Sequence, residues 1–352
     1  MGFFDIFSRS HTGSESVLLI DISTRSIVGA YVHYSADELP ALIYTERLPI
    51  EPHEGEPEEQ AMLRTLKSLG ELMIRQGAPV LSRITGSGTV HMILVSVDAP
   101  WQETSVRTEK FEEDDEEPFV FTQSLVTKRL EEGHDASAEK ILVDESIVGT
   151  ILNGYETKDP YGKKAHRASV VILTSLIERR VAASIISTLE RLYHSKNIFP
   201  IAGSSLRYQA MRTIFPHERD AIILDATSTE LSSLSLVRKG LLVSLVQADP
   251  AAKKVEWVAT ITDELAQIAK QFPLPRTIFL LAHEADVAGL REKLDTVNFS
   301  SLWLSDNRPK IVPVTRSHMN TVLRQLTETP PDLVLLLMTA FFTDARKENR
   351  RF

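Results

Sequence analysis

The chain of 352 residues contains no cysteine. That absence excludes a disulfide framework, a thiol nucleophile and thiolate-ligated zinc, and it suits a reducing compartment such as the cytoplasm. No apolar run reaches the length of a membrane span. The longest, around Leu333–Phe342, is too short and follows Pro330-Pro331. The opening MGFFDIFSRS lacks the basic start and long apolar stretch of a secretory signal. Ile6 also stands where a myristoylation pattern needs Ser or Thr. Positive charge is in deficit: 39 Lys and Arg stand against 48 Asp and Glu, a formal net charge of −9. With no dense basic patch, nucleic acid is excluded as a general partner. The pattern G-x-x-x-x-G-K-[ST] is missing, which excludes a P-loop nucleotide site.

What is present is enough apolar sequence, 43% of residues, for a sizeable core, and a length that suggests two domains or one composite domain. Residues 16–22 are nearly all apolar, which fits a strand buried on both faces. Hairpin partners are expected at 26–34 and 41–49. A helix follows over about 58–76, with Met62, Leu66, Leu69 and Met73 on one face. The next buried strand ends at Asp98. The acidic run FEEDDEEPF (111–119) reads as a solvated loop.

The opening strand stops at one carboxylate, Asp21, followed by the hydroxyls Ser23, Thr24 and Ser26. About two hundred residues on, the pattern returns: Ile222–Leu224 end at Asp225, followed by Thr227, Ser228 and Thr229. The surrounding order of elements is similar, and a duplicated domain is the economical explanation. Strand ends at the crevice of an open α/β sheet are where ligands bind. A tight turn there can aim several backbone N–H groups at a phosphate, and hydroxyls add donors. An Asp beside phosphate makes sense when Mg²⁺, usually through waters, sits between them. The competing reading of either turn alone is an ordinary Asx-type turn.

These segments resemble the FtsA/PilM branch of the actin-like ATPase superfamily, over nearly the whole chain after about residue 15. LLIDISTRSIVGAYV is similar to the family's first phosphate motif, and IILDATSTELSSLSLVRKGLLV to the second. TIFLLAHEADVAGLREKL stands in the place of the adenosine motif. ILNGYETKDPYGKKAHRASVVILTSL (151–176) resembles the SHS2 insertion of FtsA. The resemblance implies an α/β fold: duplicated actin-like, ribonuclease H-like domains with an inserted SHS2-type α+β subdomain. It implies a tail at 1–14, subdomain 1A at 15–104, the insertion (1C) at 105–200, a second half at 201–345 and a basic tail at 346–352. Only one helix, about 253–271, fits where the family carries the lobe called 2B, so 2B is expected to be reduced or absent.

If a nucleotide is retained, the resemblance assigns its phosphates to Ser23, Thr24, Thr227 and Ser228. It assigns Mg²⁺ to Asp21 and Asp225, and the adenosine side to Ala282, His283 and Glu284. His283 is a candidate base-stacking residue. The departures from the family pattern point the other way. Ser23 replaces the first motif's glycine, and Ala226 with Thr227 the second motif's [IL]-G. Ala282-His283-Glu284 replaces the adenosine Gly-Gly. Each lost glycine puts a Cβ where backbone should approach ligand. ATP and Mg²⁺ binding is therefore expected to be weakened or lost, and catalysis is not expected. A kinase would need a carboxylate base in the cleft, for which Asp98 is the only candidate.

The function implied is a scaffold at the cytoplasmic face of the cell membrane, of the FtsA cell-division kind. The alternatives are a PilM-like scaffold of type IV pilus assembly, or an ATP-binding polymerising actin homologue. Protein partners are expected through the inserted subdomain, such as a division-ring or pilus membrane protein, along with self-association. PilM-type proteins bind the cytoplasmic end of a membrane protein. The basic end, Arg346 to Phe352, implies at most peripheral lipid contact.

Overall fold

The computed structural model describes residues 14–35, 38–112, 117–132, 139–157, 159–228, 230–299, 302–303 and 308–349. Residues 1–13 of the expected tail, the centre of the acidic run and Thr229 lie outside them.

The first half begins with β1 (Glu15–Ile22), β2 (Ser26–Tyr34) and β3 (Ala41–Pro49), continues through α1 (Glu58–Leu72) and α2 (Ala78–Thr85), and reaches β4 (Met92–Val97). All eight residues of β1 are buried, because the strand is covered on both faces and carries apolar side chains on both. A five-residue π-helical turn, Met73–Gly77, joins α1 to α2. The chain then leaves for the inserted elements: β5 (Gln102–Glu112), β6 (Phe119–Val120), α3 (Gln123–Glu132), β7 (Lys140–Leu152), β8 (Tyr155–Glu156), β9 (Lys164–Ala165) and β10 (Arg167–Glu178). Four of these strands form a sheet in the order β5-β10-β7-β8. The Asn-Gly pair Asn153-Gly154 turns β7 into β8, both residues at positive φ, as a two-residue hairpin turn demands. Asn153 Oδ1 accepts the backbone N–H groups of His166 (2.9 Å) and Arg167 (3.3 Å), tying the loop's far end to the turn.

The chain returns through α4 (Arg179–Tyr193), which packs on α1. It then runs through β11 (Ile198–Ala202) into α5 (Gly203–Ile214). The second half follows: β12 (Ala221–Asp225), β13 (Ser232–Arg238), β14 (Leu241–Ala248), α6 (Pro250–Lys253), α7 (Trp257–Gln271), β15 (Thr277–Leu281), α8 (Glu284–Asp295) and β16 (Lys310–Pro313). A short strand, β17 (Arg324–Gln325), and a long helix, α9 (Leu333–Asn349), complete the described chain.

The two large sheets repeat one plan. The first has the order β11-β4-β1-β2-β3-β17 and the second β14-β13-β12-β15-β16. In each, three strands form an antiparallel meander, and the fourth and fifth add in parallel beside the first. The duplication expected from Asp21 and Asp225 is thus present in the topology. One buried cluster spans both halves: Val17 and Leu19 of the first sheet and Ile223 and Phe279 of the second meet Leu335, Met338 and Phe342 of α9. Between β14 and β15 the described residues hold α6 and α7 and no further lobe. Arg346, first residue of the expected basic tail, lies within α9 and is buried. Its Nε is 2.7 Å from Glu15 Oε1.

Candidate functional site

The two Asp-hydroxyl turns face each other across the junction of the halves. In the first, Ser23 closes a tight turn on itself: its N–H (3.1 Å) and its Oγ (2.9 Å) both donate to the Ser26 carbonyl. In the second, Asp225 Oδ1 accepts the N–H (3.1 Å) and the hydroxyl (2.6 Å) of Thr227, an Asx turn. The tips touch. Thr24 Oγ1 lies 3.1 Å from Ser228 Oγ, and Arg25 forms an exposed ion pair with Glu230.

Beneath the tips lies a residue that the strand-and-turn pattern does not reveal. Arg207, on α5, is 4% exposed and sends its guanidinium between the three strand-end carboxylates. Nη1 donates to Asp98 Oδ1 at 2.6 Å and Nη2 to Asp98 Oδ2 at 2.7 Å, a two-pronged pair. Nε is 3.0 Å from Asp225 Oδ2, and Nη2 is 3.6 Å from Asp21 Oδ1. The last two contacts are charge contacts and not hydrogen bonds. Gly203 makes the arrangement feasible. A Cβ there would stand 2.0 Å from Asp98 Oδ1 and 2.4 Å from Arg207 Nη1.

Three carboxylates around one guanidinium leave an excess of negative charge when all are ionised. Burial pushes the Asp21 carboxyl up to about 7, and the neighbouring Asp98 adds to the rise, against the pull of Arg207. Burial alone would lower Arg207, but Asp225, Asp98 and Asp21 outweigh it and hold the guanidinium firmly charged. The cluster thus consists of a permanent cation with one carboxyl that takes up a proton readily.

Helix α5 also ties this cluster to the insertion. Ser204 Oγ donates to Thr104 Oγ1 on β5 at 2.8 Å. Ser205 Oγ donates to Asp144 on β7, which also accepts from Ser146 (2.6 Å) and Gln209 (3.3 Å). Asp144 is buried and its pKa is raised by that burial, against the pull of the Ser146 and Ser205 bonds.

On the expected adenosine side, Ala282 is buried in the core of the second half. His283 stands at the N-terminus of α8, where its Nδ1 is 3.3 Å from Arg47 Nη2 and 3.5 Å from Asp332 Oδ1. Arg47, on β3, donates to Asp332 at 2.7 and 3.1 Å and to Ser26 Oγ at 2.6 Å. Burial pushes the Asp332 carboxyl up, but the hydrogen bonds from His283 and Arg47 prevail and hold it below its ordinary range. Glu284 pairs with Arg316. The imidazole and both carboxylates are therefore engaged with partners of the opposite or complementary kind.

A magnesium nucleotide does not fit these residues as they stand. The guanidinium occupies the space between Asp21, Asp98 and Asp225 in which a hydrated cation would sit. The hydroxyls expected to hold phosphate are bonded to each other or to their own turns. The cavity left among Thr24, Asp98, Arg207, Asp225 and Ser228 is about 30 Å³, whereas sites for small organic ligands run to roughly 300–1,000 Å³. Among the described residues no group of three His, Cys, Asp or Glu side chains is arranged to hold a metal ion. The carboxylates and hydroxyls were legible as strand-end and turn residues. Arg207, Gly203, Arg47 and Asp332 were not. The one available signal was Gly203-Ser204-Ser205 opening a helix, small residues that permit a close approach.

No protein-family model matches the chain, and no curated protein sequence matches it. Solved structures do. The chain is similar to one described as a PilM-PilN type IV pilus biogenesis complex, with a TM-score of 0.55 and 12% identity, over 93% of this chain and 98% of that one. A Bacteroides thetaiotaomicron protein with an actin-like ATPase fold matches at TM-score 0.46 and 9% identity, covering 92% and 95%. The cytoplasmic domain of EpsL, an inner membrane component of the Vibrio cholerae type II secretion system, matches at TM-score 0.38 and 9% identity, covering 94% and 95%. The fold is that of the actin-like ATPases.

Proposed function

We propose that this chain is a protein-binding scaffold of the PilM kind, an actin-like shell that holds a partner and works without turning over nucleotide. Two supports stand behind the reading. The first is the shared fold with the chain of a PilM-PilN complex over 93% of this protein. The second, which carries it, is a groove of about 890 Å³ between the insertion and the second half. Ile147, Tyr161, Met211, Phe215, Leu241 and Phe341 line it together with the charged Glu156, Arg212, Glu218, Arg219 and Asp344. Ile147 and Tyr161 are exposed at its rim, at 39% and 47%.

One wall is the outer edge of β7. Its other edge pairs with β10, and β8 covers only Ile151 and Leu152. Among the described residues no strand pairs with the stretch Ser146–Gly149 on the groove side. An unpaired strand edge beside a trough of mixed apolar and charged lining suits an extended segment, whose backbone can add to the edge while alternate side chains enter the trough. The occupant we infer is an extended segment of mixed apolar and charged side chains from the cytoplasmic end of a membrane protein of a pilus-type assembly. The division role of the FtsA kind rested on residues 153–167. The described residues of that run form the Asn153-Gly154 turn with β8 and the return through β9 into β10.

The test is a titration of a labelled peptide from such a membrane protein's cytoplasmic end, followed by fluorescence anisotropy. Binding is expected without nucleotide and should fall steeply for Ile147→Asp, with the fold retained by circular dichroism. Binding that requires Mg²⁺-ATP, or that ignores Ile147→Asp, contradicts the proposal.

A further inference from the structure

A ligand bridging both Asp-hydroxyl turns would draw the two halves together. Here the bridge is already part of the chain. The guanidinium of Arg207 reaches the strand end of the first half through Asp21 and Asp98 and that of the second through Asp225. Above it Thr24 meets Ser228 at 3.1 Å, and Arg25 meets Glu230. At the outer side Arg47 of the first half grips Asp332 and approaches His283. We infer that Arg207 is a built-in cation that replaces metal and nucleotide as the tie between the halves, so that the cleft is held closed permanently and without a ligand.

Chemistry favours this reading over a displaced or vacant metal site. Mg²⁺ needs near-octahedral oxygen ligation and keeps several waters, which a cavity of about 30 Å³ cannot supply alongside phosphate. A guanidinium is planar, always charged, and matched to a carboxylate by two parallel bonds, and that is the geometry it makes with Asp98. Gly203 belongs to the same device. The helix that delivers Arg207 starts against Asp98, and only a residue without a Cβ allows the approach. The retained carboxylates thereby acquire a purpose in a protein whose turns have lost their glycines: they hold Arg207. This inference stands on the cleft alone and does not depend on which partner fills the groove.

The absence of native cysteine permits a direct test. Thr24→Cys and Ser228→Cys place two thiols where hydroxyl oxygens now lie 3.1 Å apart, near enough to oxidise to a disulfide with small adjustment. In the full chain the pair is expected to cross-link at one rate whether or not millimolar Mg²⁺-ATP is present. Adding Arg207→Met should slow cross-linking by about ten-fold or more, since the uncompensated carboxylates then repel and part the turns. Any change of rate with Mg²⁺-ATP in the parent pair, faster or slower, overturns the inference, as does an unchanged rate with Arg207→Met. Should Arg207→Met fail to fold, the parent's response to Mg²⁺-ATP still decides, because a permanently closed cleft shows none. Peptide binding in the groove is read separately, so loss of one result leaves the other standing.

Discussion

Gly203→Ala is the smallest change that reaches the buried cluster. The added Cβ would sit 2.0 Å from Asp98 Oδ1, 2.4 Å from Arg207 Nη1 and 3.0 Å from Ser96 Oγ. Neither of the first two atoms is the free end of a flexible side chain, because they are hydrogen-bonded to each other at 2.6 Å. Relief therefore requires α5 to withdraw or the two-pronged pair to part. Parting a buried ion pair costs about 3–5 kcal/mol, and a partial withdrawal of the helix recovers some of it, so a loss of about 3 kcal/mol is expected. At roughly 2–3 °C per kcal/mol for a large domain, the melting temperature should fall by about 6–9 °C. Differential scanning fluorimetry reads this directly. Gly289 supplies the internal comparison. It lies in α8, with nothing within 4 Å of where a Cβ would go. Gly289→Ala should stabilise by about 0.5–1 kcal/mol through helix propensity alone. A Gly203→Ala protein that melts within about 2 °C of the parent would refute the close-approach reasoning.

Three further outcomes are expected. The Asp21 carboxyl titrates near 7 in the folded state against 3.8 in an unperturbed chain. The folded protein thus binds this proton more tightly than the unfolded one, and the group withdraws stability as pH rises from about 4 to 7. Denaturant midpoints of Asp21→Asn should show less of that fall than the parent's, and parallel pH profiles would contradict the assignment. Arg346→Ala strands the buried carboxylate of Glu15 and removes a cation 5.1 Å from the Tyr34 ring centroid. It should cost about 3–5 kcal/mol in urea unfolding, while Glu15→Gln with Arg346→Met recovers most of the loss; equal losses for the single and double variants would refute the pairing. Asp332→Asn loosens the partly exposed tie to Arg47. Its cost should be about 1 kcal/mol or less and shrink in high salt, and a salt-independent cost would show that charge is not the cause.

The fold was legible because its determinants are local. Apolar runs ending at Asp21 and Asp225, each followed by hydroxyls and a hairpin, mark the two first strands, and the order of elements around them completes the repeat. The short interval between Ala248 and Thr277 left room for only one helix, about 253–271, where the family carries a lobe; the structure has two, α6 and α7. The chemistry of the cleft was legible only in part. Lost glycines argued that a nucleotide had lost its cradle, but the group that took its place sits on α5, in GSSLRYQAMRTI. Beyond the small residues Gly203-Ser204-Ser205 that open it, nothing in that segment separates a buried Arg207 from the arginine of an ordinary surface helix. Its neutralisers come from Asp21, Asp98 and Asp225, residues far apart in the chain. Asp98, considered as a catalytic base, is instead the best hydrogen-bonded partner of that arginine. His283 stands beside Arg47 and Asp332, contacts that arise only when β3, α8 and the start of α9 are brought together.

A guanidinium stands between Asp21, Asp98 and Asp225, in the space a hydrated magnesium ion beside a nucleotide would need. Isothermal titration calorimetry of the full chain with ATP, with and without Mg²⁺, tests it most directly. No saturable heat is expected up to millimolar ATP under either condition. Saturable, magnesium-dependent binding that disappears in Asp21→Ala or Asp225→Ala would contradict it.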